Sequence, residues 1–456
     1  RTRAELTQSK LQRSLDADLA RYQALVDRRN ALETQVDFLQ PDARQVTVAS
    51  APLKPATPNR PVIFALGVAG GLIVGLALVL FVVASGHLAI VGFDSRFVLF
   101  AQEMLRHGPS VFPTTYGVPY PDYTGFSTWL IYLCSLPLGE VTSFSAWLPT
   151  CVASAIMVGL MYRLLAPYSR RWAWLSIALL LLTNTFITET RAVSLEQMLA
   201  CITFAVFYLA YAADHFSSAR RLWLIYGLLV LGFLIRGPIG LIVPAAVLCS
   251  YHLFNRNGRQ AWLSALVAVA LLALCTMTLL LLARLAGGQA LLAEVVRTQI
   301  TARLDAGDGS GPAFWYFSRS LGNYALAYPL AIVVLLAVGF TARGQKNAAL
   351  HLLYLCAIAG LTVMIGLSIP SAKKARFLLP MLPPAAIIAA YPFHARSGRC
   401  FWWLRGLILT LCCFIPGALM VGLLLIRPRF PEALGDTGPL LSARGLLQVV
   451  ALPLLM

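Results

Sequence analysis

The sequence predicts an all-α polytopic membrane protein with about twelve spanning helices and a short helical arm before the first of them. Three observations carry that prediction. The 456 residues are 59% hydrophobic and only 12% charged, against about 25% charged in soluble globular domains. Mean hydropathy is +0.74, and apolar runs long enough to cross a bilayer recur from Pro61 onward. The basic residues behind the +17 net charge sit mostly in short connections between those runs, not in one patch. That distribution speaks for membrane topology and anionic headgroups and against nucleic acid.

Residues 1–45 form a polar, helix-favouring arm. Leu25, Leu32 and Leu39 recur every seven residues, as a coiled coil requires, while Asp18 and Arg29 interrupt the seam. A single amphipathic helix remains the alternative reading. In the linker 46–61, Pro52, Pro55, Pro58 and Pro61 at every third position favour an extended polyproline segment. The domain 62–456 then opens on an apolar run in which Gly67, Gly71 and Gly75 share one helix face, allowing close helix approach. The Asp42-Ala43-Arg44 triplet, the proline series and the Gly-rich run make residues 1–84 resemble the end of polysaccharide chain-length determinants.

Further apolar segments fall near 144–164, 172–188, 194–213, 222–235, 238–254, 261–284, 321–341, 349–369, 378–392, 403–426 and 440–456. The piece 129–139 is too short to span and is expected to lie in the interface. Placing residues 1–60 inside gives basic inner connections: Arg163, Arg170 and Arg171; Arg220 and Arg221; Arg256 and Arg259; Arg343 and Lys346; Arg396, Arg399 and Arg405. The outer connections then hold nine of the twelve acids that follow residue 60, including Asp94, Glu103, Asp122, Glu189, Glu294, Asp305 and Asp308. This is a consistent positive-inside pattern. In a chain-length determinant the coil lies outside, so the two readings conflict over residues 1–84; the charge pattern, sampled over six loops, is preferred. Nine cysteines lie mostly within apolar runs, without metal or disulfide spacing. The chain starts at Arg1 and stops at Met456 inside an apolar run, so a longer protein with an outer carboxy-terminal domain is expected.

The outer loop 92–128 concentrates the chemistry. It carries Asp94 at its start, Asp122 near its end, Arg96, and several aromatics. Asp94 stands just before a helix-like stretch and suits either an N-cap or a general base. On the same side, Arg236 is a basic residue at membrane depth, costly unless paired. Lys373, Lys374 and Arg376 break the positive-inside rule, a physical sign of an anionic ligand, with ordinary anionic headgroups as the bland reading. No phosphate-cradling Gly-rich loop occurs, which argues against nucleotide hydrolysis.

The string from Asp94 to Tyr120, DSRFVLFAQEMLRHGPSVFPTTYGVPY, resembles the first outer loop of the GT-C glycosyltransferases, closest to the aminoarabinose transferase and protein O-mannosyltransferase branch. The stretch 190–196 resembles that family's second outer loop, Arg236-Gly237-Pro238 its Lys-Gly-Pro corner, 311–317 its aromatic stretch, and 371–380 its outer basic segment. Two departures stand out: Ser95 replaces a second acid, and Tyr123-Thr124-Gly125 replaces a Lys-Pro-Pro segment after Asp122.

The resemblance implies a glycosyltransferase of the bacterial inner membrane. It would move a sugar from a polyprenyl-phosphate donor to a hydroxyl of a lipid, glycan or protein acceptor on the periplasmic side. Asp94 would be the general base of an inverting attack. Arg191, Arg236, Lys373, Lys374 and Arg376 would hold the phosphate; Arg96, Asp122, Tyr123 and Glu196 would contact acceptor or sugar. A divalent metal between acids is compatible with this set but indicated by no His/Cys/Asp spacing, and His107 alone is weak evidence for a ligand. A transporter or flippase for lipid-linked sugars, or an assembly partner for polysaccharide, is the alternative. The first of these predicts mid-helix charges and repeat symmetry, neither of which is evident.

Overall fold

Apolar runs interrupted by Ser, Thr, Gly and Pro give helices whose ends fall at those residues. A computed structural model describes residues 18–28, 95–115, 117–121, 125–216, 221–298, 314–319, 322–341, 347–370, 373–395 and 399–411. Two compact units emerge, Arg1–Ala56 and Thr57–Met456. In the first, residues 18–28 are helical and mostly exposed, Leu19, Tyr22 and Leu25 included. The heptad seam and the proline linker otherwise lie outside the described residues, as do the first spanning run and the 440–456 segment.

The second unit is a helical bundle. Helix α1 (Ser95–His107) buries Phe97, Phe100, Ala101 and Met104 on one face. A two-residue ladder follows, β1 (Thr114–Thr115) antiparallel to β2 (Val118–Pro119), with Thr115 opposite Val118. Helix α2 (Phe126–Ser135) and a 3₁₀ turn, Leu136–Leu138, occupy the segment expected in the interface. Helix α3 (Ser143–Leu165) begins with a capping box: the Thr142 side chain accepts from Ser145 N, and Ser145 Oγ accepts from Thr142 N. The expected single segment 172–188 is instead two helices, α4 (Arg170–Leu181) and α5 (Asn184–Thr190), bent by 71°. The break falls at Thr183, whose hydroxyl bonds back to Leu179 O, and Asn184 opens the new helix.

Helix α6 (Leu195–Phe216) starts from Ser194, whose Oγ accepts from Gln197 N at 3.2 Å, and carries Glu196 in its first turn, favourable for the helix dipole. Helices α7 (Arg221–Arg236) and α8 (Pro238–Phe254) meet at Gly237, with φ +66° and ψ −150°, a conformation open essentially to Gly; Pro238 supplies the first helical position. Their backbones nearly touch: a Cβ on Gly232 would lie 2.1 Å from Gly240 O, and one on Gly240 1.9 Å from Gly232 O. Gly232→Ala is therefore expected to destabilise the protein by about 1–3 kcal/mol, as overpacking does, seen as a lowered melting temperature in detergent.

Helix α9 (Gly258–Val296) is broken at Gly287 and Gly288, and only 11% of its most apolar window is buried. It is the lipid-facing flank of the bundle. Short helix α10 (Trp315–Arg319), α11 (Ala327–Thr341) and α12 (Ala348–Ser368) follow. The 378–392 segment is a 3₁₀ stretch, Ala375–Met381, then α13 (Leu382–Ala389) and a last 3₁₀ turn, Tyr391–Phe393. Residues 399–411 are again helical. Among the described residues, five helices are long and apolar enough to span, six with the bent pair as one.

The bundle has two distinct ends. Eighteen residues of α6 separate Glu196 from Asp214, and α8 separates Gly237 from Asn255, so each pair lies roughly 25 Å apart along its axis. At one end gather Glu196, Arg236 and Arg376. At the other lie Tyr168, hydrogen-bonded to Tyr211, with Trp172 and His394 packed against Tyr168, and Tyr251 donating to Asp214 Oδ2 at 2.5 Å. The inner connections of the charge analysis fall at this second end where they are described, Arg163, Arg170 and Arg256 among them.

Candidate active site

Glu196 is the hub. Its carboxylate is 6% exposed, and Arg236 Nη2 donates to its Oε1 at 2.9 Å. Arg376 Nε lies 3.6 Å from the same oxygen. One buried carboxylate thus gathers two guanidinium groups from the end of α7 and from the 3₁₀ stretch. Arg236 is further fixed by the Phe377 ring, 5.6 Å from its guanidinium carbon to the ring centre.

The segment bearing Arg376 is tied down from two sides. The hydroxyl of Tyr324, a buried residue, donates to Ala375 O at 2.8 Å. Lys373 is 7% exposed; its ammonium donates to Ser368 O at 2.9 Å and lies 6.0 Å from the Tyr316 ring centre. Lys374 is exposed.

The connection between α5 and α6 forms the third wall. Ser194 Oγ donates to Glu189 Oε2 at 2.5 Å. Behind it, Gln197 Nε2 donates to Ser154 Oγ at 2.8 Å, and Ser154 and Thr190 hydroxyls bond at 3.0 Å. Thr150 Oγ1 accepts from Ser194 N at 3.4 Å, so the connection rests against the second turn of α3. Arg191 stands on it, partly buried, and forms no ion pair with a carboxylate among the described residues. Desolvation lowers its pKa, with the neighbouring Cys151 thiol opposing the shift. A partly desolvated guanidinium with no carboxylate is a ready receptor for an anion.

The outer loop is an ordered structure where it is described. Trp129 Nε1 donates to Ser110 O at 2.8 Å, Gly125 N to Val111 O at 3.1 Å, and Tyr120 N to Pro113 O at 2.7 Å. Arg96 donates to Tyr120 Oη at 3.3 Å. Phe112 packs with Ala283, Leu291 and Val295 at the Gly287–Gly288 elbow of α9.

Of the residues singled out from sequence, Glu196, Arg236 and Arg376 come together directly, and Lys373 joins through the shared segment. Arg191 lies on the adjoining connection and Arg96 in the outer loop with Tyr120. Asp94, Asp122 and Tyr123 lie outside the described residues. Sequence reasoning missed Tyr324 and Phe377. The first carries its only signal as a phenol at the start of an apolar helix, the second as the residue following Arg376. Among the described residues no three His, Cys, Asp or Glu side chains gather as a metal site would require.

The described residues form an α-helical bundle with a buried acid–arginine cluster at one end. The sequence model for dolichyl-phosphate-mannose-protein mannosyltransferase matches residues 79–291. Two solved structures are similar in fold. One is ArnT from Cupriavidus metallidurans bound to undecaprenyl phosphate: 19% identity, TM-score 0.62, covering 76% of this chain and 63% of that one. The other is ArnT from the same organism in the apo state: 20% identity, TM-score 0.61, covering 79% of this chain and 65% of that one. The chain therefore spans just under two thirds of the length of those structures. No curated protein matches its sequence.

Proposed function

We propose that this chain is an integral-membrane glycosyltransferase that moves a sugar from a polyprenyl-phosphate carrier to an acceptor hydroxyl at the periplasmic face of the bacterial inner membrane. The observation that carries the reading is the pair of cations Arg236 and Arg376 preset by Glu196, with Arg191, which forms no ion pair among the described residues, on the connection leading into the helix that bears Glu196. The likeness of fold to a structure bound to undecaprenyl phosphate points to the same class of anionic lipid.

In this reading the carrier's apolar tail lies along the bundle and its phosphate meets Arg191, Arg236 and Arg376, with Lys373 and Lys374 completing the positive field. Arg236 and Arg376 enter the reaction already oriented, because the Glu196 carboxylate holds them before any ligand arrives. The phosphate leaves the anomeric carbon as the acceptor oxygen attacks from the opposite face, which inverts the configuration. Asp94 takes the acceptor proton, and Asp122, Tyr123 and Arg96 orient acceptor or sugar.

Titrating undecaprenyl phosphate into the detergent-solubilised protein tests the carrier site without needing the sugar or acceptor. Arg191→Gln is expected to weaken binding about tenfold, the worth of one charge-assisted hydrogen bond. Equal binding by wild type and variant would remove Arg191 from the phosphate site.

A further inference from the structure

We propose a second ligand site at the opposite end of the bundle, taking a phosphoethanolamine group: a phosphate and a primary ammonium on one short spacer. A cleft of about 480 Å³ opens there between the ends of α6, α8 and α12, lined by Asp214, Phe254, Asn255, Arg256 and His351. It lies a full helix length from the acid–arginine cluster, since α8 runs from Gly237 at that cluster to Asn255 in the cleft.

The charges in the cleft are arranged for a zwitterion. Asp214 and Arg256 line the same space yet form no ion pair among the described residues. The Asp214 carboxylate is held by its Oδ2, which accepts from Tyr251 Oη at 2.5 Å and at longer range from Asn255 Nδ2 at 3.5 Å. No described residue bonds its Oδ1, and the proposal gives that oxygen to the ammonium. Asn255 in turn meets His351 Nε2 with its Oδ1 at 3.0 Å, so α6, α8 and α12 are fastened around the space by one polar chain. Phe254 stacks on the His351 ring at 5.6 Å, giving the cleft an aromatic wall against which an ammonium gains cation–π attraction.

Arg256 supplies the other half. Its φ is +57°, the left-handed conformation that closes α8 and that Gly adopts without cost. A large cationic residue at that position spends conformational energy to present a guanidinium at the mouth of the cleft. Guanidinium for phosphate and carboxylate for primary ammonium is the complement of phosphoethanolamine. A choline headgroup has no N–H for Asp214, and a glycerol headgroup has no cation.

Two sources offer this group, the headgroup of phosphatidylethanolamine and soluble phosphoethanolamine. The test uses the whole chain in nanodiscs of equal parts phosphatidylethanolamine, phosphatidylcholine and phosphatidylglycerol, with retained lipid counted by native mass spectrometry. Phosphatidylethanolamine is expected to be retained about tenfold over the other two, and Arg256→Gly and Asp214→Asn are each expected to lose that preference. Both variants protect the fold: Gly relieves the left-handed residue, and Asn keeps an oxygen for Tyr251. A thermal shift with soluble phosphoethanolamine, without lipid retention, assigns the site to the soluble source. Equal retention of phosphatidylglycerol, or a preference untouched by both variants with no response to the soluble compound, overturns the proposal. No sugar donor enters the measurement, so its outcome is separate from that of the transferase reading.

Discussion

Asp94→Asn is expected to lower sugar transfer by roughly 100- to 10,000-fold, the usual worth of a positioned general base, while undecaprenyl phosphate binding stays unchanged. The substitution separates two roles that the sequence leaves together. Asn caps helices as well as Asp does, so a residue needed only to start α1 (Ser95–His107) tolerates the change. An amide cannot take a proton from an attacking hydroxyl, so a base does not. The measurement is transfer of labelled sugar from a polyprenyl-phosphate donor in membranes carrying the chain, with the melting temperature as a control for folding. Wild-type transfer by the Asn variant would remove the acid–base mechanism and leave the carrier site standing.

The second large effect is expected at the hub. Glu196→Ala strips the counter-charge from Arg236, itself 13% exposed, and from Arg376. Breaking a buried ion pair from one side costs about 3–5 kcal/mol, and the lower end suits a cluster that sits at helix termini. The expected readout is a clear loss of melting temperature in detergent. Arg236→Ala is expected to cost a similar amount, and the double variant less than the sum, by a coupling of about 1–3 kcal/mol. Additive single and double variants would mean that the two side chains do not depend on each other. A proposed ligand phosphate would offset part of the loss in Glu196→Ala, since it too is an anion for Arg236, so carrier lipid should protect this variant more than wild type.

Where the sequence is periodic and bounded by turn-formers, helices could be read closely. The apolar run 144–164 became α3 (Ser143–Leu165) because Thr142 and Ser145 mark its start, and 349–369 became α12 (Ala348–Ser368) behind Asn347. The break in 172–188 was hidden, because hydropathy continues through Leu180, Leu181 and Leu182 while the turn is made by one threonine bonding to its own helix. Helix α9 breaks at Gly287–Gly288, close to the expected end near residue 284; the helical stretch beyond the break, to Val296, packs against Phe112 from a distant loop.

The site was legible as a set of charges and illegible as a pairing. Arg236, Lys373, Lys374 and Arg376 stood out as cations on the acid-rich side. That Glu196 holds Arg236 forty residues away, and that Lys373 spends its ammonium on Ser368 O and the Tyr316 face, depends on helix packing that no local pattern encodes.

The short helix α4 has a consequence for the lipid around it. Its twelve residues rise about 18 Å, against a hydrocarbon thickness of about 30 Å. The connection from α5 to α6 leans on Thr150, seven residues inside α3, so Arg191 is seated about 10 Å lower than the rim made by that neighbour. In the proposed carrier site, a headgroup that reaches this ledge would have to sink, and its leaflet would dimple around it. On that proposal, membrane elasticity would join the arginines in setting how readily the site fills: a thin, soft bilayer would ease the descent, and a thick, stiff one would resist it.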